Sequence, residues 1–426
     1  MKVCPISVFF SLVLLLFSGG CIDEVALETL NPVGFSLEDV LVVDARITNE
    51  SKRQRILLSR PSTLSADTTY AGVSGATVTV SSSEGNTYNF EEIEPGLYLS
   101  TGIFTAIQDV EYTLEIELAD GQQYLSQPAS RGPESSIDRI YAQREFSNLG
   151  VEGISIYVDS SNPDPRADRY RYEYEETYKI IAPNWTASEF EILQDFSQIT
   201  EGIYPDVRLV PRAQEERICY NTVSSTEILL SNGLEVETEE LRGNLIRFLG
   251  NDNAVISHRY SILVKQYLQS PEAYSFYTSL RNFSSSDNVF NQIQPGLLEG
   301  NIEAVNNENA VVLGYFEVTS VTERRLFFNY EDFYPGEPLP PYFGTVNCER
   351  IFAPRLYNPE RDGPSPPDEC GDPQGLTELI ELELVEYYLD NTVPPGLCQG
   401  PYFITQRACG DCTALGSNIV PDFWEE

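Results

Sequence analysis

Tyr112-Thr113-Leu114-Glu115-Ile116-Glu117-Leu118, followed by Asp120-Gly121, is the stretch on which the fold turns. Apolar side chains occupy every second position, and a period of two places them all on one face of an extended strand. Asp-Gly tolerates the positive φ that a tight hairpin demands, so the chain is expected to double back at once. Neighbouring segments repeat the pattern. Leu41-Val42-Val43 with Ala45 to Ile47 reads as one strand, and Arg55-Ile56-Leu57-Leu58 as the next. Ala76 to Val80 alternates small or polar residues against Val, Glu84-Gly85-Asn86 turns into Thr87 to Phe90, and Pro95-Gly96 turns into Leu97-Tyr98-Leu99. Strand signals about 8–12 residues apart, with turn residues between them, predict an immunoglobulin- or fibronectin-like antiparallel β-sandwich over residues 36–130.

Arg131-Gly132-Pro133 reads as a joint, and strand candidates continue beyond it at Ile154 to Val158, Tyr170 to Ile180, Glu227 to Leu230 and His258 to Leu268. In Tyr170-Arg171-Tyr172-Glu173-Tyr174 one face is aromatic and the other charged, the pattern of a half-buried strand. Ser270-Pro271-Glu272 starts a helix, with Ser as N-cap and Pro at the first helical position, and that helix should bury Ala273, Phe276, Tyr277 and Leu280. Val311 to Thr319 and Arg325 to Tyr330 form a further strand pair. Residues 331–375 are dense in Pro and Gly and read as long loops. Leu376 to Leu389 fits a strand through Ile380, Leu382 and Leu384 and a helix through Leu379, Leu382 and Leu389; a short helix is favoured. The expectation is a larger β-rich domain, sandwich or barrel-like, over residues 137–426 with one or two short helices.

The amino terminus has a different character. Lys2 is followed by the apolar run Val8 to Phe17 and by Ser18-Gly19-Gly20 leading directly into Cys21. A charged start, a short greasy core and small residues before a cut make a secretory signal peptide over residues 1–20. The run is shorter than the roughly 20 residues that cross a bilayer. A Cys immediately after the small residues is the arrangement in which the thiol takes lipid and becomes the new first residue. Cys21 is therefore the expected lipidation site and residues 21–35 the tether.

The 426 residues carry 27 basic and 65 acidic side chains, a net charge of -38. That surface repels nucleic-acid phosphates and anionic headgroups, so no nucleic acid is expected as partner and attachment to a membrane falls to the lipid on Cys21. An acidic surface also attracts divalent cations or basic partners, but solubility is its simpler use. Of eight cysteines, Cys4 departs with the signal and Cys21 takes lipid. Cys219, Cys348, Cys370, Cys398, Cys409 and Cys412 remain, an even number that outside the cytoplasm points to disulfides. Connectivity is open from sequence; Cys348 with Cys370 is the pairing favoured.

Signs of catalysis are sparse, and the chain is expected not to be an enzyme and to need no cofactor or metal. His258 is the lone histidine, so a Ser-His-Asp or Cys-His arrangement would have to be built on it, and no nucleophile signature surrounds it. Cys409-Gly410-Asp411-Cys412 is a CxxC without a second CxxC at zinc spacing, so disulfide use is expected. Asp159-Ser160-Ser161-Asn162-Pro163-Asp164 offers oxygen ligands for calcium but lacks the Gly and closing Glu of an EF-hand loop, and reads as a turn. Among 65 acidic residues no pair stands out as a glycosidase dyad.

Several segments together carry a resemblance. They are Leu41-Val42-Val43-Asp44-Ala45-Arg46-Ile47-Thr48 with Gly75-Ala76-Thr77-Val78, Arg259 to Tyr267 leading into Glu272-Ala273-Tyr274-Ser275-Phe276, and Gly300-Asn301-Ile302 with Leu313-Gly314-Tyr315-Phe316. The end, Cys409-Gly410-Asp411-Cys412-Thr413 to Pro421-Asp422-Phe423-Trp424, belongs to the same set, although Leu415-Gly416-Ser417-Asn418 stands where a second Gly and a basic residue are commoner. With these the chain resembles the Bacteroidota outer-membrane lipoproteins of the domain-of-unknown-function 4249 family, over nearly the whole mature chain. The resemblance implies an outer-membrane, lipid-anchored protein facing the cell exterior. It also implies a role as accessory partner of a TonB-dependent transporter in capture of peptide, glycan or metal-complex nutrients. It brings no catalytic residues. The competing expectation is a free-standing adhesin or glycan-binding lipoprotein, suggested by sandwich architecture and 25 tyrosines.

Overall fold

The alternation in the opening stretch becomes strand Glu111–Glu117, in which Tyr112, Leu114 and Ile116 are buried while the Glu side chains between them face solvent. Gly121, at φ +84°, turns the chain into strand Gln123–Ser126, which pairs back antiparallel. In this computed structural model the described residues are 40–61, 71–161, 168–193, 207–233, 240–284, 298, 300–307, 310–344, 346–355, 375–392 and 399–426. The expected signal peptide, Cys21 and the tether lie outside them, as do Cys370 and Cys398.

The chain is mainly β, as expected. Its largest sheet has eleven strands, and from one edge the order runs 302–304, 123–126, 111–117, 77–82, 87–94, 97–100, 55–60, 41–48, 312–319. The sheet curls until its two edge strands meet, so one nearly closed, barrel-like sheet stands where an immunoglobulin-like sandwich is expected from the sequence. Residues 36–130 do not supply it alone. Strand Val312–Thr319 pairs parallel with Leu41–Thr48 through eight successive residues, from Leu41 opposite Val312 to Thr48 opposite Thr319. A parallel neighbour needs a crossover, and here the crossover is the whole intervening unit. Hydropathy along residues 36–130 carries no trace of a strand that arrives from beyond residue 300.

Two features seal the seam. The Asn301 side-chain amide imitates a strand residue: its Nδ2 donates to the Phe316 carbonyl at 2.9 Å and its Oδ1 accepts from the Phe316 N–H at 2.7 Å. Backbone then approaches backbone so closely that a Cβ on Gly300 would fall 1.8 Å from the Gly314 carbonyl oxygen, and one on Gly314 would fall 2.0 Å from the Val43 oxygen. Gly314 also has φ +143°, so both space and conformation demand glycine there. Inside the barrel Leu41, Ile47, Ile56, Leu58, Tyr112 and Phe316 pack into one core.

The second unit is a sandwich. Strands Ser136–Phe146, Glu152–Ser161 and Glu240–Gly250 form one sheet, and Ile218–Ser224, Arg169–Ile181, Arg259–Leu268 and Val321–Asn329 form the other, with Leu229–Asn232 paired beside Arg169–Ile181. Ile137, Ile154, Ile156 and Val158 from the first meet Tyr172, Tyr260, Ile262 and Val264 from the second. Strands 136–146 and 240–250 escape a sequence reading because their alternation is broken by charges such as Arg139, Arg144 and Arg247. Helix Pro271–Ser284 begins as expected, with the Ser270 hydroxyl accepting from the Ala273 N–H at 3.1 Å, and buries Ala273 and Phe276. Tyr277 and Leu280 are only half-buried.

A third, smaller core lies near the carboxyl end, where strands Ile351–Pro354, Val385–Asp390 and Gln399–Gln406 form a sheet around Ala353, Leu376 and Ile404. The ambiguous segment resolves into both alternatives in turn: helix Gly375–Glu381, then strand Val385–Asp390, with Glu383 at φ +53° breaking one from the other. The favoured reading of a single short helix is thus half of the answer. The final residues lie along the five-stranded sheet, where Trp424 meets Tyr220 edge-on at 4.8 Å and Lys179 pairs with Glu426 at 2.9 Å.

Candidate functional site

Charged side chains expected to face solvent are instead enclosed where the two units meet. Strand Arg169–Ile181 is buried on both faces over Tyr170 to Tyr172, because strands 41–48 and 312–319 of the barrel and helix 271–284 cover the face opposite the tyrosines. Arg171 is 5% exposed and Glu317 3%. Arg171 donates to Glu173 at 2.5 Å and to Glu317 at 3.2 Å, and Arg46 reaches the same two carboxylates at 3.1 and 3.3 Å. Two cations and two anions make a neutral set, the condition under which charges tolerate removal from water.

Aromatic rings complete the enclosure. Arg46 and Arg171 lie 4.5 and 4.8 Å from the Tyr267 ring, and Arg171 lies 4.4 Å from the Tyr277 ring. Burial alone would raise the Glu173 carboxyl, but the two guanidinium groups outweigh it and hold its pKa at about 2. Burial and the neighbouring carboxylates push the Tyr267 and Tyr277 phenols well above their ordinary range. A related arrangement sits deeper in the sandwich, where Glu176 accepts from Arg247 at 3.1 Å and from the Tyr260 hydroxyl at 2.7 Å.

Beside the four-charge cluster lies a pocket of about 510 Å³ at the barrel seam, bounded by Gln127 to Ser130, Ser270, Glu272, Ala273, Gly300, Asn301 and Tyr315 to Val318. Two of its lining residues, Glu272 and Glu317, are carboxylates, so it is the place to look for a hydrolytic pair. Glu317 does not fit that role. Its Oε1 accepts from Gln269 and its Oε2 from Arg46, Arg171 and Tyr277. With four donors already on it, three of them on Oε2, this carboxylate is committed to the fold and poorly placed to take or give a proton to a substrate. Asn301 is likewise committed to Phe316.

The cysteines pair across the fold. Cys219 bonds Cys412 and Cys348 bonds Cys409, so the favoured pairing of Cys348 with Cys370 is corrected. Strand Gln399–Gln406 delivers helix Arg407–Gly410 beside the Asn184 loop, whose N–H donates to the Cys409 carbonyl at 2.9 Å, and this brings Cys409 rather than Cys370 to residue 348. The CxxC is therefore a hub whose two sulfurs leave in different directions, one to the sandwich and one to the carboxyl-terminal loops. His258 is half-buried at the foot of strand Arg259–Leu268, and burial and then the nearby Lys179 lower its pKa. Asp159 to Ser161 belong to strand Glu152–Ser161 rather than to a turn, with Asp159 bonded to Arg139 at 2.9 Å; residues 162–167 lie outside the described residues. Among the described residues no group of three or more His, Cys, Asp or Glu side chains is placed to hold a metal ion, and no helix is long and apolar enough to cross a membrane.

Sequence reasoning misses the role of Arg46, Arg171, Glu173 and Glu317. One signal was available: Glu317 interrupts the apolar run Tyr315-Phe316-Glu317-Val318, and an ionisable group inside such a run needs a buried counter-charge.

Comparison with known proteins places the chain without assigning an activity. The family model described as "Domain of unknown function (DUF4249)" matches residues 28–325. No curated protein matches. Among solved structures, the chain is similar to a DUF4785 family protein from Legionella pneumophila at 10% identity and a TM-score of 0.19, covering 54% of this chain and 53% of that one, so it spans about half of that protein's length. A second match, at 10% identity and a TM-score of 0.14, is to a chain of a structure that holds the manganese lipoxygenase of Gaeumannomyces graminis and part of a zonadhesin of Komagataella pastoris, over 56% of this chain and 91% of that one.

Proposed function

From the premise that the chain belongs to the DUF4249 family, we propose that it is a lipid-anchored, non-catalytic outer-membrane protein facing the cell exterior. There it acts as the accessory partner of a TonB-dependent transporter. The observation that carries this reading is Ser18-Gly19-Gly20-Cys21 placed directly after the apolar run Val8 to Phe17. Lipid on Cys21 fixes the body to a membrane that its charge of -38 would otherwise avoid. Two disulfides suit an oxidising space outside the cytoplasm. The commitment of Glu317 to four donors within the fold favours a binding or capping role over hydrolysis at the seam pocket.

The test is affinity purification of the tagged, lipidated protein from its own outer membrane in mild detergent, with mass spectrometry of what accompanies it. A TonB-dependent channel in stoichiometric amount is the expected result. A lipoprotein recovered alone would overturn the reading and direct the search to glycan and peptide binding by a free-standing adhesin.

A further inference from the structure

Strands Ser136–Phe146 and Glu152–Ser161 form the longest hairpin of the sandwich, and its tip is uncharged in a protein with a net charge of -38. Residues 146–151, Phe-Ser-Asn-Leu-Gly-Val, contain no charge. Phe146 is 68% exposed, Leu149 91% and Val151 45%. The turn is well built: the Ser147 N–H donates to the Val151 carbonyl, the Gly150 N–H donates to the Ser147 carbonyl, both at 2.8 Å, and Gly150 takes φ +75°. Three apolar side chains are thus held outward on a structured point, where their exposure costs solubility without serving the core.

A collar of carboxylates surrounds that point. Glu152 and Glu337 flank Arg144 at 2.7 Å each, Glu145 accepts from Tyr157, and Asp252 and Val151 crowd the same face of Gly250. Four acidic groups against one arginine leave the collar negative.

We propose that this tip is the anchor with which the protein docks on its transporter. It inserts Phe146 and Leu149 into an apolar socket rimmed by Lys or Arg side chains. The collar chooses between occupants. Insertion into a bilayer would carry the four carboxylates to the depth of anionic headgroups, which repel them, whereas a basic rim on a protein attracts them. Three side chains are too few for a whole interface of about 800 Å² per partner, but a few central apolar anchors commonly carry most of its energy. The inference rests on the transporter-partner reading above.

The experiment uses the lipidated, full-length protein in its own outer membrane. The double variant Phe146→Ser, Leu149→Asp is compared with wild type for the amount of TonB-dependent channel recovered per lipoprotein. The expected result is an unchanged melting temperature and a channel recovery at least about tenfold lower, the loss that follows removal of a hot-spot anchor. Recovery equal to wild type overturns the tip and leaves the partner reading standing. Absence of the channel from the wild-type preparation overturns both. Independently of how the variant folds, a photo-crosslinking residue at position 149 in intact cells should give adducts on the channel. Adducts confined to lipid or to a second copy of this chain, or no adducts, overturn the proposal.

Discussion

Arg171 shows how one residue can satisfy a strand pattern and still defeat its reading. Its position in Tyr170-Arg171-Tyr172-Glu173-Tyr174 puts it on the face opposite the tyrosines, and a charge there ordinarily means water. Here that face meets the barrel, and Arg171 finds Glu317 some 146 residues away. Removing one partner of such a set leaves an uncompensated buried charge, which typically costs about 3–5 kcal/mol, far more than a surface pair. Glu317→Ala should therefore destabilise strongly in chemical denaturation, while Glu323→Ala, at an exposed residue with a 4.0 Å contact to Lys265, should shift the midpoint little. Equal effects would show that the cluster is not the enclosed set described. The same cluster has a pH signature. The Glu173 pKa is depressed to about 2 from an ordinary 4.5, so its contribution to stability is complete above about pH 4.5 and is lost as pH falls towards 2. Glu173→Gln should lower the melting temperature at neutral pH, and the gap from wild type should close steadily between pH 4.5 and 2. A gap constant across that range would remove Glu173 from the acid response.

Local strands were largely legible, because the information that makes them is local. Strands 41–48, 55–60, 77–82, 87–94 and 111–117 follow from period-two alternation and from Gly or Pro turns, and the helix at 271 follows from its Ser-Pro start. What lay beyond reading was pairing at a distance: the parallel union of 41–48 with 312–319, the Asn301 clasp on Phe316, and the partner of each cysteine. Each depends on where the intervening chain carries a segment, not on the residues within it. The disulfide hub is the element at which this matters most. Cys348–Cys409 closes a separation of 61 residues and ties the chain just before strand Ile351–Pro354 to helix 407–410. In the unfolded chain that closure removes conformational freedom, and loss of a native disulfide typically costs about 2–5 kcal/mol. Cys409→Ser is expected to lower the denaturation midpoint by an amount in that range. An unchanged midpoint, with the wild-type thiols shown to be oxidised, would refute the structural role.

At the scale of the whole molecule the charge balance sets the response to salt. Of 65 acidic side chains at most 27 can be matched one to one by bases, which leaves 38 carboxylates that repel one another across a single body. Two effects of salt compete. It weakens exposed ion pairs such as Arg55–Asp44, each worth about 0–1 kcal/mol, and it screens the general repulsion, whose range shrinks from about 30 Å at 0.01 M to about 10 Å at 0.1 M. The enclosed pairs around Arg171 and Glu176 feel little of either, since buried charges are screened far less. Repulsion involves more charges over a longer range, so screening should win, and the melting temperature should rise between 0.01 and about 0.3 M sodium chloride. A fall would mean that surface pairing outweighs repulsion. Calcium chloride at matched ionic strength separates screening from binding. An equal rise is the outcome expected of a surface without a built cation site, whereas a larger rise that saturates at low calcium would place such a site among the carboxylates.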